Sequence, residues 1–201
     1  MDYAPVANKY LEPKTSIIEA QVKGLQQNGI VSCAKHLPSH DNTADDSQYG
    51  LPVVVKNKNE LEAYELVPFR QAMKAGADAI MVADISPTRL DNTFDVVIDD
   101  LLANLISDCL EMGGIRATYG TEKEAVMGLK TGPDYVMVCH TLRVRVGAIE
   151  AIIAAVKSGE ISQLAIESLV HQVLRLNAKY SSPGISNAAG RYIGLQMLNK
   201  A

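Results

Sequence analysis

The sequence predicts an α/β fold whose strands run parallel, and two features of its apolar pattern support this prediction. Short apolar runs alternate with longer amphipathic stretches along most of the 201 residues, which is the pattern of successive βα units. Two of the runs, AIMVA at 79–83 and YVMV at 135–138, are apolar on both faces. Strands of that kind are typical of parallel sheets covered by helices on either side.

The apolar runs and the helical periodicity predict the elements in order. The predicted strands are Asp2–Val6, Ile30–Ala34, Ala79–Ala83, a weak strand at Gly114–Ala117, and Tyr135–Cys139. The predicted helices are Lys14–Gln27, Asn59–Lys74, Ile98–Glu111, Glu122–Leu129, Val146–Lys157 and Ser162–Lys179. Glycines follow several of these helices, and Asn59 and Ser162 suit N-cap positions.

The length limits how complete the fold can be. A closed barrel of eight parallel strands with its helices needs about 250 residues. This chain is shorter and has too few strand candidates, so the sequence predicts an incomplete or modified (β/α) barrel of the TIM type. We expect one domain at 1–180, followed by a C-terminal tail at 181–201 with a weak apolar pattern.

Composition and charge argue against several classes of partner. The chain has 19 basic and 23 acidic residues and no basic block, which argues against binding to nucleic acid or to an anionic membrane. The chain has three widely spaced cysteines, Cys33, Cys109 and Cys139. This spacing favours buried free thiols in a reducing compartment. The N-terminus does not resemble a secretion signal and no apolar run is long enough to span a membrane, so we expect a cytoplasmic protein.

A dense polar cluster, KHLPSHDNTADDSQYG at 35–50, directly follows the second predicted strand. The carboxyl ends of barrel strands are where barrel enzymes place their active sites. Lys35 and His36 therefore either open into a pocket or form a solvated strand end. His40 is either a site residue or a turn residue, and Asp46 either a site residue or part of a solvated acidic loop.

The residues KHLPSHDNTADDSQYGLPVV, followed by LEAYELVPFRQAMKAGADAIMVADI, resemble the N-terminal barrel domain of glycoside hydrolase family 3. The resemblance is to its β-N-acetylglucosaminidase branch, whose pattern reads KHFPGHGDTxxDSHxGLP. Weaker resemblance extends to DYAPVAN near the N-terminus and to GPDYVMVC at 132–139. The resemblance therefore covers essentially residues 2–180.

The resemblance implies roles for individual residues. In the family, the residues at Lys35 and His36 hold sugar hydroxyls, and an Asp-Ser-His element supplies the general acid and base. The matching residues here are Asp46, Ser47 and Gln48, and a glutamine cannot carry a proton at neutral pH.

The resemblance also implies a nucleophilic aspartate in a TDDLxM-like segment. In MGGIRATYGTEKEAVMGL we find no acid between Met112 and Glu122, which predicts that this segment is deleted. Retaining glycoside hydrolysis needs two carboxyl groups about 5 Å apart. Ordinary hydrolysis is therefore predicted to be lost.

Two further strand ends carry polar residues. Asp84 follows AIMVA where the family reads histidine, so it either forms a proton-transfer pair with His36 or Lys35 or makes a strand-end salt bridge. His140 follows YVMVC and either faces the same cavity or caps the strand. His36, His40, Asp41 and Asp46 match no recognised metal-ligand spacing, so we expect no metal and no cofactor.

Three hypotheses for function follow. The first is an enzyme repurposed for non-hydrolytic acid-base chemistry on a small molecule, such as isomerisation, dehydration or cyclisation. Its predicted catalytic residues are His36, Asp46 and Asp84, and its predicted substrate-binding residues are Lys35, His40, Gln48 and His140. The alternatives are a residual β-N-acetylglucosaminidase-like hydrolase or sugar-binding protein, and a non-catalytic scaffold or regulatory pseudoenzyme. An incomplete barrel exposes strand edges, so we also expect a homo-oligomer.

Overall fold

The computed structural model describes residues 4–38, 58–83 and 103–180. These residues contain one parallel sheet of four strands, which lie side by side in chain order. The strands are β1 (Cys33–Leu37), β2 (Ala79–Val82), β3 (Asn104–Cys109) and β4 (Tyr135–Met137). The predicted parallel-strand α/β fold is confirmed.

Helices precede, connect and follow these strands. They are α1 (Ala4–Gln27), α2 (Lys58–Glu60), a π-helical turn (Leu61–Glu65), α3 (Leu66–Lys74), α4 (Gly113–Thr118), α5 (Thr121–Thr131), α6 (Leu142–Ser158) and α7 (Gln163–Tyr180). None of the helices in the described ranges has the length and apolar character needed to cross a membrane.

The strand register aligns one row of residues across the sheet. Lys35 is paired with Met81, Met81 with Ile106, and Ile106 with Tyr135. The register is interrupted between Lys35 and Leu37 on β1 and between Ile106 and Cys109 on β3. Because the strands are parallel, their carboxyl ends meet at one edge of the sheet, where these interruptions lie.

The main core lies between the sheet and the helical segment before β2. It contains six buried side chains: Leu37, Leu61, Leu66, Phe69, Ile80 and Leu105. Burying a leucine side chain completely contributes about 1.5–3 kcal/mol, so this cluster fixes the segment against β1, β2 and β3. Because side chains alternate between the faces of a strand, Met81, Ile106 and Asp108 fall on the opposite face.

Asp78, just before β2, organises the amino end of the sheet. Its side chain is only 2% exposed, and its Oδ2 accepts hydrogen bonds from the Ser32 backbone N–H at 2.9 Å and the Tyr180 hydroxyl at 2.5 Å. The Nζ of Lys179 lies 2.5 Å from Oδ1. These contacts attach the C-terminal end of α7 to the sheet. Burial alone would raise the pKa of Asp78, but hydrogen bonds led by that from Lys179 hold the pKa well below its usual range.

Three of the predicted elements are wrong. The predicted strand at Asp2–Val6 overlaps α1, which already includes Ala4, and residues 1–3 lie outside the described ranges. The predicted helix at Ile98–Glu111 and the weak strand at Gly114–Ala117 are exchanged in type: residues 104–109 form β3, and 113–118 form α4.

The burial pattern of β3 explains why its sequence predicted a helix. Alternate residues of β3, Leu105, Ser107 and Cys109, are buried, which is the two-residue period of a strand. Ser107 is buried as a polar residue, so the apolar pattern alone favoured a helix. The other predicted helices and strands in the described ranges overlap observed elements of the same type, although β1 begins later than predicted and includes Lys35 and His36.

Candidate active site

The carboxyl edge of the sheet brings together a histidine and a carboxylate from two non-adjacent strands. The Nε2 of His36, on β1, lies 3.2 Å from the Oδ2 of Asp108, on β3. Their side chains are 26% and 18% exposed, so both are largely shielded from water. An ion pair or hydrogen bond at this distance in a shielded place is stronger than the same pair on the open surface.

The end of the intervening strand allows the two side chains to meet. β2 ends at Val82, and the buried residue after it, Ala83, has only a methyl side chain. The Ala83 backbone N–H donates to the carbonyl of Leu37 at 2.8 Å, so the chain remains attached to β1. His36 and Asp108 therefore meet across the end of β2.

Asp108 is held on its other side by hydrogen bonds within β3 and β4. Its Oδ1 accepts from the Cys109 backbone N–H at 2.8 Å. The hydroxyl of Ser107 donates to the Asp108 carbonyl at 2.8 Å and accepts from the Met137 backbone N–H at 2.9 Å. The buried serine thus ties the peptide that carries the carboxylate to the neighbouring strand.

A second carboxylate, Glu111, joins the loops that follow β3 and β4. Its Oε2 accepts from the backbone N–H of His140 at 2.5 Å, and its Oε1 accepts from that of Thr141 at 3.0 Å. The hydrogen bond from His140 is the main cause of a lowered pKa at Glu111. The carboxylate form is therefore the one that binds this loop.

Two thiols lie beside these carboxylates. Cys109 is buried and Cys139 is exposed, and their side chains form a hydrogen bond. The pKa of Cys139 is raised to about 11. The main cause is desolvation, followed by the contact with Cys109 and the charges of Asp108 and Glu111. Cys139 is therefore a neutral thiol at physiological pH.

The pair formed by His36 and Asp108 can perform two kinds of chemistry. A shielded aspartate at a strand end can attack an electrophilic carbon and form a covalent ester. A carboxylate beside an imidazole can also move a proton to or from a bound molecule.

Asp108 is not among the site residues that the sequence predicts, although it contacts His36. It lies in S-D-C-L-E-M at 107–112, which fits the family's TDDLxM-like pattern at Asp108, Leu110 and Met112. The helix predicted at Ile98–Glu111 hides this match, because the family's nucleophile segment follows a strand. With β3 in that place, the prediction of a deleted nucleophile segment loses its basis.

The structure describes three of the seven predicted site residues. His36 contacts Asp108, Lys35 is exposed on β1 in register with Met81, and His140 is exposed beside the Glu111 carboxylate. The other four lie outside the described ranges, so their places remain predictions: Asp46, Asp84, His40 and Gln48. In the part of the chain that is described, no three histidine, cysteine or acidic residues are grouped closely enough to hold a metal ion.

The chain is similar in sequence and structure to known sugar hydrolases. It is 31% identical over 129 residues to a beta-hexosaminidase of Neisseria meningitidis serogroup C, a match that covers 59% of this chain and 36% of the relative. Its structure matches a glycoside hydrolase family 3 beta-N-acetylglucosaminidase from a Paenibacillus species with a TM-score of 0.74 and 33% identity, over 84% of this chain and 36% of the other.

A third comparison bears on the fold alone. The beta-N-acetylglucosaminidase from Thermotoga maritima matches with a TM-score of 0.66 at 21% identity, over 78% of this chain and 37% of the other. The chain thus spans well under half the length of these three proteins. The family model described as the glycosyl hydrolase family 3 N terminal domain matches residues 12–176, and the chain belongs to that family.

Proposed function

We propose that this chain carries part of an active site that processes β-N-acetylhexosaminides by the retaining mechanism. This part supplies the nucleophile and binds the sugar. The observation that carries the proposal is the 3.2 Å approach of His36 Nε2 to Asp108 Oδ2 at the carboxyl edge of the sheet. Asp108 also lies in the segment that fits the family's nucleophile pattern. The names of the similar proteins, a beta-hexosaminidase and a beta-N-acetylglucosaminidase, support the choice of substrate class.

Asp108 attacks the anomeric carbon in the proposed reaction, while the bond from that carbon to the leaving oxygen breaks. The product of this step is a glycosyl ester on the Asp108 carboxylate, which water then cleaves to restore the acid. His36, in contact with Oδ2, orients the carboxylate for attack. Lys35, exposed on the same strand, is available for the sugar hydroxyls, as the family resemblance implies.

The proposed site lacks the family's usual proton donor to the leaving group. Gln48 stands where the family has the acid-base histidine, and a neutral amide cannot act as a general acid at neutral pH. Leaving groups that depart as stable anions do not need that proton. We therefore expect aryl glycosides with acidic phenols to react faster than glycosides of ordinary alcohols.

A second candidate function is proton transfer without covalent attack, as in an isomerase or a dehydratase. The same pair of His36 and Asp108 supports it, because a carboxylate beside an imidazole is a general acid-base pair. The two functions differ in one respect: only the retaining mechanism forms an ester on Asp108.

Turnover of 4-nitrophenyl N-acetyl-β-glucosaminide by the purified chain tests the proposal. Asp108→Asn is expected to lower kcat by at least about 10³-fold, the scale seen when a catalytic group is removed. Glu150→Gln, an exposed acid-to-amide change on α6, is the matched control and is expected to leave kcat unchanged. Turnover that survives Asp108→Asn, or a folded wild-type chain with no turnover, overturns the proposal.

A further inference from the structure

We propose that Glu111 is a positioning residue of this site, which holds the loop between β4 and α6 so that the His140 side chain contacts the bound sugar. This inference rests on the proposed function, because it assigns a role in binding the same substrate. Neither the family resemblance nor the predicted site residues point to Glu111.

The contacts of Glu111 join two different βα units. Its carboxylate accepts the His140 backbone N–H at 2.5 Å and the Thr141 backbone N–H at 3.0 and 3.1 Å to its two oxygens. Glu111 follows β3, whereas His140 and Thr141 follow β4. One side chain therefore fixes the distance between the two loops at the carboxyl edge of the sheet.

The loop that Glu111 holds leads into the N-terminus of α6. Thr141 is the N-cap residue of α6, and its side chain makes no capping hydrogen bond within the described residues. A carboxylate at this place is favoured by the positive end of the helix dipole and by the free N–H groups. The lowered pKa of Glu111, caused mainly by the hydrogen bond from His140, agrees with an ionised carboxylate in this role.

The position of Glu111 links the loop to the proposed nucleophile. Glu111 is three residues after Asp108, so the same short segment carries the nucleophile and the group that holds His140. The His140 side chain is exposed and is thus accessible to a ligand. None of the Asp108 contacts described above involves Glu111, so we expect release of the loop to remove mainly the contribution of His140.

A double-mutant cycle between Glu111 and His140 tests the inference on 4-nitrophenyl N-acetyl-β-glucosaminide. Glu111→Ala and His140→Ala are each expected to raise KM about tenfold and to change kcat little, because the lost contact is in substrate binding. The double variant is expected to be no worse than either single variant, since Glu111 acts through His140. Glu160→Ala, which removes the exposed carboxylate that pairs with Lys130 at 2.9 Å, is the matched control.

The remaining outcomes separate this inference from the proposed function. Effects on KM that multiply in the double variant, or a Glu111→Ala variant with unchanged KM, overturn the positioning role while turnover by the wild type upholds the proposed function. A folded wild type that neither turns over the substrate nor binds N-acetylglucosamine overturns both. If Glu111→Ala fails to fold, Glu111→Gln replaces it in the cycle, because the amide oxygen still accepts one of the two N–H groups, and we expect a smaller rise in KM.

Discussion

His36 and Asp108 lie 3.2 Å apart although β2 separates the two strands that carry them. The contact places an imidazole against a carboxylate at the edge where parallel α/β folds have their ligand sites. Asp108 also lies in the segment that fits the family's nucleophile pattern, so a candidate nucleophile is present in the chain.

Removing the imidazole of His36 is expected to weaken the proposed catalysis without unfolding the chain. His36→Ala leaves Asp108 without the group that orients Oδ2, so we expect kcat/KM for the nitrophenyl substrate to fall about 10²-fold, at the lower end of acid-base effects. His171→Ala, an exposed histidine on α7, is the control and is expected to have wild-type kinetics. Unchanged kcat/KM in folded His36→Ala would show that the contact has no role in the reaction.

Restoring the acid-base histidine is expected to widen the range of substrates. Gln48→His introduces a side chain that can protonate the leaving oxygen, so hydrolysis of N,N′-diacetylchitobiose is expected to rise by about 10²-fold. The nitrophenyl substrate, whose phenolate leaves without a proton, is expected to change much less. Equal gains on both substrates, or no gain on either, would contradict the view that Gln48 limits the reaction.

Asp78 is expected to make the stability of the fold depend on pH in the acid range. Its folded-state pKa is held below the unfolded value of about 3.9. Its contribution to stability is therefore complete above that pH and is lost as the pH falls further. Asp78→Asn removes the charge that Lys179 and Tyr180 contact, and we expect it to lower the free energy of unfolding by about 3 kcal/mol at pH 7.

Urea unfolding followed by circular dichroism at pH 7 and at pH 3 measures this effect. The difference in free energy of unfolding between wild type and Asp78→Asn is expected to be smaller at pH 3. At that pH the stabilisation by the ionised Asp78 begins to be lost in the wild type. A difference of the same size at both values of pH would mean that the charge of Asp78 does not stabilise the fold.

The thiol of Cys139 is expected to react slowly at neutral pH despite its exposure. With a pKa of about 11, it has little thiolate at pH 8, whereas an ordinary cysteine has a pKa of about 8.5. Iodoacetamide labelling of the peptide that contains Cys139, followed by mass spectrometry, is expected to accelerate steadily from pH 8 to pH 10. A rate that levels off near pH 9 would show an unperturbed thiol.

The sequence predicted the architecture well where the apolar pattern was unambiguous. AIMVA and YVMV are nearly continuous apolar runs, and both lie in parallel strands. NLISDC failed because its buried positions include a serine and a cysteine, which hide the two-residue period of a strand. Tertiary contacts decide such a segment: Ser107 is buried because its hydroxyl bonds the backbone of β4, which no local pattern shows.

The helix predicted where β3 lies also limited how much of the site could be predicted. His36 lies at the carboxyl edge, where a polar cluster that follows an apolar run is expected. Asp108 was assigned to the wrong element, so its partnership with His36 was missed, although S-D-C-L-E-M was visible in the sequence. Glu111 could not be found from the sequence, since its role depends on backbone N–H groups 29 and 30 residues away. The homo-oligomer and the small-molecule ligand remain predictions.

The most direct test of the central claim is a search for a covalent glycosyl ester on Asp108. The chain would be treated with 2-acetamido-2-deoxy-5-fluoro-β-glucosyl fluoride, whose leaving fluoride needs little protonation, and digested for mass spectrometry. We expect one added glycosyl group, on the peptide that contains Asp108, and no addition in Asp108→Asn. A glycosyl group on another acid, or no adduct from a folded and sugar-binding protein, would contradict it.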